Sequence, residues 1–124
     1  MIALLLAAAL AAAAPAERRP VDVRAGGDAA LTLKLSDALT KSLASASRLR
    51  AMAPEDDDDL TLVILGDVTP DGARFDYIVD LLKTNGQFAP KRVASISGKC
   101  RETAIDACAA EIVARADRKV RKDA

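Results

Sequence analysis

LTLVILGDVTPDGARFDYIVDLLKTNGQFAPKRVASIS, residues 60–97, reads as three antiparallel strands joined by two turns, and the rest of the chain is arranged around that meander. In the first turn, Thr69-Pro70-Asp71-Gly72, proline sits where a φ of about −65° is wanted and glycine where a larger residue would be crowded. In the second, Asn85-Gly86 supplies the pair of residues that accepts positive φ in a tight hairpin.

The strand at residues 60–65 is apolar on both faces, because Leu60, Leu62 and Ile64 alternate with Thr61, Val63 and Leu65. That pattern predicts an interior strand covered on both sides. Its simplest far-side neighbour is the stretch 21–24, connected through a helix by a right-handed crossover in a β-α-β unit. In the second strand Phe75, Tyr77, Val79 and Leu81 form the core side, and Asp76, Ile78, Asp80 and Leu82 the other. A two-residue hairpin at Asn85-Gly86 sets Asp80 opposite Lys91, Tyr77 opposite Ala94 and Phe75 opposite Ile96. Pro90 lacks an N–H, which makes the third strand an edge and allows a one-residue slip. With Lys91 as partner, Asp76 and Asp80 read as part of a solvated charged face rather than an acid and base pair.

Two helices flank the meander. Leu31, Leu35, Ala38, Leu39, Ser42, Leu43, Ala46, Leu49 and Ala53 fall in one stripe of a 3.6-residue period, with Pro54 as terminator. Leu33 lies off the stripe, so regular helix is expected from near Ser36, acting as N-cap. From Thr103 to Lys122 a second stripe carries Ile105, Cys108, Ala109, Ile112 and Ala116. Thr103 and Asp106 resemble a capping box, and Arg115, Arg118, Lys119, Arg121 and Lys122 gather at the carboxyl end, where cations favour the macrodipole. The acidic run 55–59 lacks the alternating ligands and the glycine of a calcium loop, and is expected to be a solvated loop.

The chain of 124 residues opens on MIALLLAAALAAAAPA, an uncharged apolar run ending in the small residues Ala14 and Ala16 around Pro15. It is too short to span a bilayer and reads as a signal peptide at residues 1–16, cleaved after Ala16, delivering the protein to the periplasm or outside the cell. Its amino-terminal end has no Lys or Arg, the one departure from the usual signal pattern. Residues 17–30 form a linker or short strand and residues 31–124 one α+β domain. All 18 basic and 18 acidic residues fall in the mature part, so net charge is zero and nucleic-acid binding is not expected. Phe75, Tyr77 and Phe88 are the only aromatics, too few for a stacking platform.

The chemistry available is narrow. Without histidine, no Ser-His-Asp or Cys-His arrangement exists and the commoner zinc sites are excluded. No phosphate-binding loop occurs, Ser42, Ser45 and Ser47 sit on the first helix, and Lys41 points away from its neighbour Ser42. No enzymatic activity, cofactor or metal is expected. Cys100 and Cys108, the two cysteines, are expected to form a disulfide in an oxidising compartment. Within one helix their Cα atoms would stand about 12 Å apart, beyond the ~7 Å limit for bridging, so Cys100 must precede the helix.

The fold expected is a small α+β domain in the order (β)-α-β-β-β-α. Its three-stranded antiparallel meander becomes a four-stranded mixed sheet if residues 21–24 join it, with two amphipathic helices packed on top. The function expected is that of a monomeric, exported, non-enzymatic accessory or protein-interaction module of a bacterial cell envelope, partnered by another envelope protein and without a membrane span after cleavage. The alternative is a periplasmic carrier of a small apolar ligand held between helix and sheet, which the alanine-rich helices leave room for.

Overall fold

The structure, a computed structural model, describes residues 18–57, 60–84 and 89–123, the last three by their backbone only. The chain runs β1 (Arg19–Ala25), α1 (Ala30–Ser42), a 3₁₀ turn (Leu43–Ser45), β2 (Leu49–Ala51), β3 (Leu60–Ile64) and β4 (Thr69–Asp71). It continues through β5 (Arg74–Lys83), β6 (Lys91–Arg101), a second 3₁₀ turn (Glu102–Ala104) and α2 (Ile105–Asp123). This is a small single α+β domain with two helices and a six-stranded mixed sheet.

β1 lies between β2 and β3 and is parallel to both, with Arg19 opposite Leu49 and Val21 opposite Leu60. The predicted pairing of the amino-terminal strand with the meander is therefore present. β5 pairs with three strands: β3 and β4 share one of its edges and β6 runs along the other. β6 forms an edge of the sheet, as Pro90 just before it implies.

Both helices and the inner face of the sheet build one core. Val21, Leu60, Leu62, Ile64, Phe75, Val79, Leu81 and Ile96 on the strands are fully buried with Leu35 and Leu39 of α1 and Ala109, Ile112 and Ala116 of α2. Removal of these aliphatic side chains from water supplies the main favourable term, since the core has Phe75 and Tyr77 as its aromatics. Among the described residues, no helix lies over the opposite face. Arg24, Ile78, Ser95, Ser97 and Lys99 are exposed there, and Asp22 and Val63 are half-buried. The expectation that β3 is interior and covered on both sides holds over most of the strand, since Thr61 is buried and Val63 half-buried on this second face, and only Leu65, just past the strand, is exposed.

Five other expectations change. α1 ends at Ser42, and Leu49, in phase with its stripe, starts β2 instead. The helix also begins six residues before Ser36, because its cap is tertiary. Ala29 precedes the helix without a side chain able to cap it, and Asp67, in the loop after β3, accepts hydrogen bonds from the Ala29 N–H and the Thr32 hydroxyl at 2.9 Å each. The first turn lies at Gly72 and Ala73, with Gly72 at φ 63°, while Pro70 belongs to β4 opposite Phe75. That places a positive-φ glycine at the first loop position of a two-residue hairpin, as such turns prefer.

The fourth change is in register, and a fifth is at the start of α2. Phe75 faces Cys100, Tyr77 faces Gly98 and Asp80 faces Ser95, a slip of four residues from the expected pairing, with a bulge at Leu81/Leu82. Asn85 and Gly86, on which the expected register rested, lie outside the described residues. An even slip leaves the β6 side chains from Ala94 to Arg101 on their expected faces. In the third segment, β6 runs on to Arg101, and Thr103 lies inside the 3₁₀ turn rather than at the cap of α2.

Candidate functional site

Two features stand out from the structural background: the open face of the sheet and a cavity between the helices. On the open face, β5 presents Asp76, Ile78, Asp80 and Leu82, because alternate residues of a strand share a face. β3 contributes Thr61 and Val63, and β6 contributes Ser95, Ser97 and Lys99. Ile78 is 47% exposed and Leu65, just past β3, is 45% exposed. Asp80 behaves in the opposite way. Ladder partners Val63 and Ser95 flank it, it is only 7% exposed, and among the described residues its Oδ1 meets no hydrogen-bond donor.

The other carboxylates of this face have cations. Asp22 pairs with Arg24 at 2.7 Å, and Asp76 lies 3.9 Å from Lys99 Nζ, an electrostatic contact too long for a hydrogen bond. Lys91, the expected neighbour of Asp80, lies opposite Lys83. The reading of Asp76 and Asp80 as one solvated charged face is thus corrected: Asp76 fits it in part, and Asp80 is buried. Sequence reasoning missed this because the pairing followed from an assumed hairpin length. The signal available was the alternation itself, which puts Asp80 between apolar neighbours on a central strand.

The cavity, of about 350 Å³, opens where the end of α1 meets α2. Ser42, Ser45 and Ser47 line one side and Ala110, Val113 and Ala114 the other, with Asp117 completing it. The structure thus gathers the three serines, but only Ser42 is helical, the others lying in and after the 3₁₀ turn. Asp117, 7% exposed, accepts hydrogen bonds from the Ser47 hydroxyl and the Arg48 N–H at 2.9 Å each. Its carboxylate fastens the chain entering β2 to α2.

The remaining candidates have structural roles. Cys100 and Cys108 form the disulfide, with Cα atoms 6.0 Å apart and Cys100 at the end of β6, so the bond ties α2 to the sheet. Ala14 and Ala16 lie outside the described residues, as do Asp58 and Asp59 and the side chains of Arg121 and Lys122. Asp56, from the acidic run, is engaged by Arg50 and by the Ala53 N–H, and Asp67 by α1. Among the described residues, no three histidine, cysteine, aspartate or glutamate side chains come together to hold a metal. Arg115 Nη1 reaches the Ser97 carbonyl, so one member of the basic cluster turns to the edge of β6.

These features define a small α+β domain with a one-sided sheet. No protein-family model matches the chain and no curated protein matches it. A solved structure described as "Crystal structure of uncharacterized protein" is similar at a TM-score of 0.56 and 12% identity, over 86% of this chain and 94% of that one. The likeness concerns the fold.

Proposed function

We propose that the protein is a small exported, non-enzymatic accessory module of a bacterial cell envelope, and that it works by docking another envelope protein on the open face of its sheet. The observation that carries this reading is the make-up of that face, where Leu65 and Ile78 remain exposed beside half-buried Val63 and Leu82. A face of this kind has the apolar centre and polar surround of a recognition surface. Export is supported by the apolar opening with Ala14 and Ala16 and by the disulfide.

The test is affinity purification of the carboxyl-terminally tagged protein from envelope extract, beside an Ile78→Ser variant. A protein retained in near-equal amount by the wild type and lost with the variant is expected. Identical retention by both removes the open face from the function.

The cavity beside Asp117 favours a second reading, carriage of a small ligand. It lies between the two helices rather than between helix and sheet, and Ala46, Ala110, Val113 and Ala114 give it a mainly apolar lining while Ser47 and Asp117 bond each other, which suits a small apolar cargo. Native mass spectrometry of protein taken from the periplasm separates the readings, since a carrier shows a small adduct and a docking module does not.

A further inference from the structure

We propose that the open face receives one cationic side chain, a lysine or arginine set in an apolar segment of the partner protein, with Asp80 as its acceptor. The inference rests on the docking reading above and names the chemistry of what docks.

Asp80 is the reason. A carboxylate taken out of water without a donor or a counter-ion destabilises the domain that holds it, and buried polar groups are nearly always satisfied. Here the carboxyl group is 7% exposed and its Oδ1 has no donor. On the same face Asp22 has Arg24 at 2.7 Å, and Asp76, whose Oδ1 likewise lacks a hydrogen-bond donor, has Lys99 at 3.9 Å. The free domain therefore presents a carboxyl oxygen, Asp80 Oδ1, without a donor, on a face where Val63, Ile78 and Leu82 adjoin it.

Position supplies the rest of the recognition. Ile78, exposed, precedes Asp80 on the same face, and half-buried Val63 lies directly across the ladder from it. Lysine and arginine match such a spot, because an aliphatic stem lies along the apolar surface while the charged head reaches the carboxylate. The face is a broad sheet surface rather than an enclosed cleft, so affinity must come from contact area, which a protein segment provides and a small amine does not.

The experiment uses the full chain in the cell. Ser97, exposed and directly opposite Ile78, is replaced by the photo-crosslinker p-benzoylphenylalanine, so that Ile78 and Asp80 stay intact. After irradiation the crosslinked peptide is sequenced by mass spectrometry, in the parent and in Asp80→Asn and Ile78→Ser backgrounds. The expected result is a peptide with lysine or arginine within three residues of the attachment point, and a yield at least fivefold lower in Asp80→Asn, whose melting temperature is no lower than the parent's. Conversion of the mapped cation to glutamate in the partner should lower the yield equally, a readout independent of how Asp80→Asn folds. A yield lost in Ile78→Ser but unchanged in both charge variants would falsify the cation inference and leave the docking reading standing. Crosslinks insensitive to Ile78→Ser, or none, overturn the docking reading, and a crosslink to a second copy of this chain overturns the partner named here.

Discussion

Asp56 shows what one well-bonded carboxylate does in this fold. The Arg50 guanidinium donates to its two oxygens at 2.6 and 2.9 Å and the Ala53 N–H donates at 2.8 Å. The Arg50 hydrogen bond first, then that of Ala53, lowers its pKa from 3.8 to about 2. Because the folded value lies below the unfolded one, the group favours the fold above about pH 4, and that contribution disappears as pH falls towards 2. Melting temperatures measured from pH 5 to pH 2 should drop along an acid limb that Asp56→Asn makes shallower; superimposable limbs would reject the coupling. A second residue-level consequence concerns Gly98, which faces the Tyr77 ring across the ladder. A Cβ there would stand 2.6 Å from the Tyr77 oxygen and 3.0 Å from the ring carbon that bears it. Gly98→Val should therefore destabilise by about 1–3 kcal/mol through overpacking, read as a lower urea midpoint at unchanged slope.

Among the elements, the disulfide and the cap of α1 have measurable weight. The Cys100–Cys108 bond closes a short loop, sequence separation 8, and the chain-entropy model assigns such a loop about 2.5 kcal/mol. Cys108→Ser should lower the unfolding free energy by that order in urea, and dithiothreitol should reproduce the loss in the parent but not in the variant. Asp67→Ala removes the acceptor for Ala29 and Thr32 and should cost ~1–2 kcal/mol, with the greatest rise in amide exchange in the first turn of α1. These two devices also mark how far the sequence could be read. The disulfide was legible because helix geometry forbids bridging within α2, so Cys100 had to lie outside it. The cap was not, since Asp67 lies 38 residues beyond Ala29 and local patterning has no access to such a contact. β2 was hidden for a different reason: Leu49 falls in phase with α1, and a three-residue strand has too few residues to declare its own period. The core faces survived because side-chain alternation depends on register only through its parity, whereas Asp80 did not, because its neighbours depend on the register itself.

At the scale of the whole molecule, the amino-terminal boundary is the feature most open to measurement. Arg18 donates to the carbonyls of Leu43, Ala44 and Leu49, so the described fold engages a residue only two positions beyond Ala16. Export with cleavage after Ala16 leaves Glu17 at the amino terminus and keeps that clamp, and the mature protein from the periplasm should begin its sequence at Glu17. Full-length protein in the cytosol with Met1 intact would reject the export reading. The place of β1 in the sheet has a further bearing on how such a chain reaches its compartment. Flanked by β2 and β3, β1 is an interior strand, yet it is the first to emerge from any pore that passes the chain from its amino terminus. Val21 cannot meet Leu60 until the intervening helix, β2 and the acidic loop have followed. Throughout that interval the leading strand has two bare edges, the condition in which chains cross-pair and precipitate. Were the chain exported as proposed, the same arrangement would keep it from closing its sheet until β3 had followed, so that folding would come after translocation instead of competing with it.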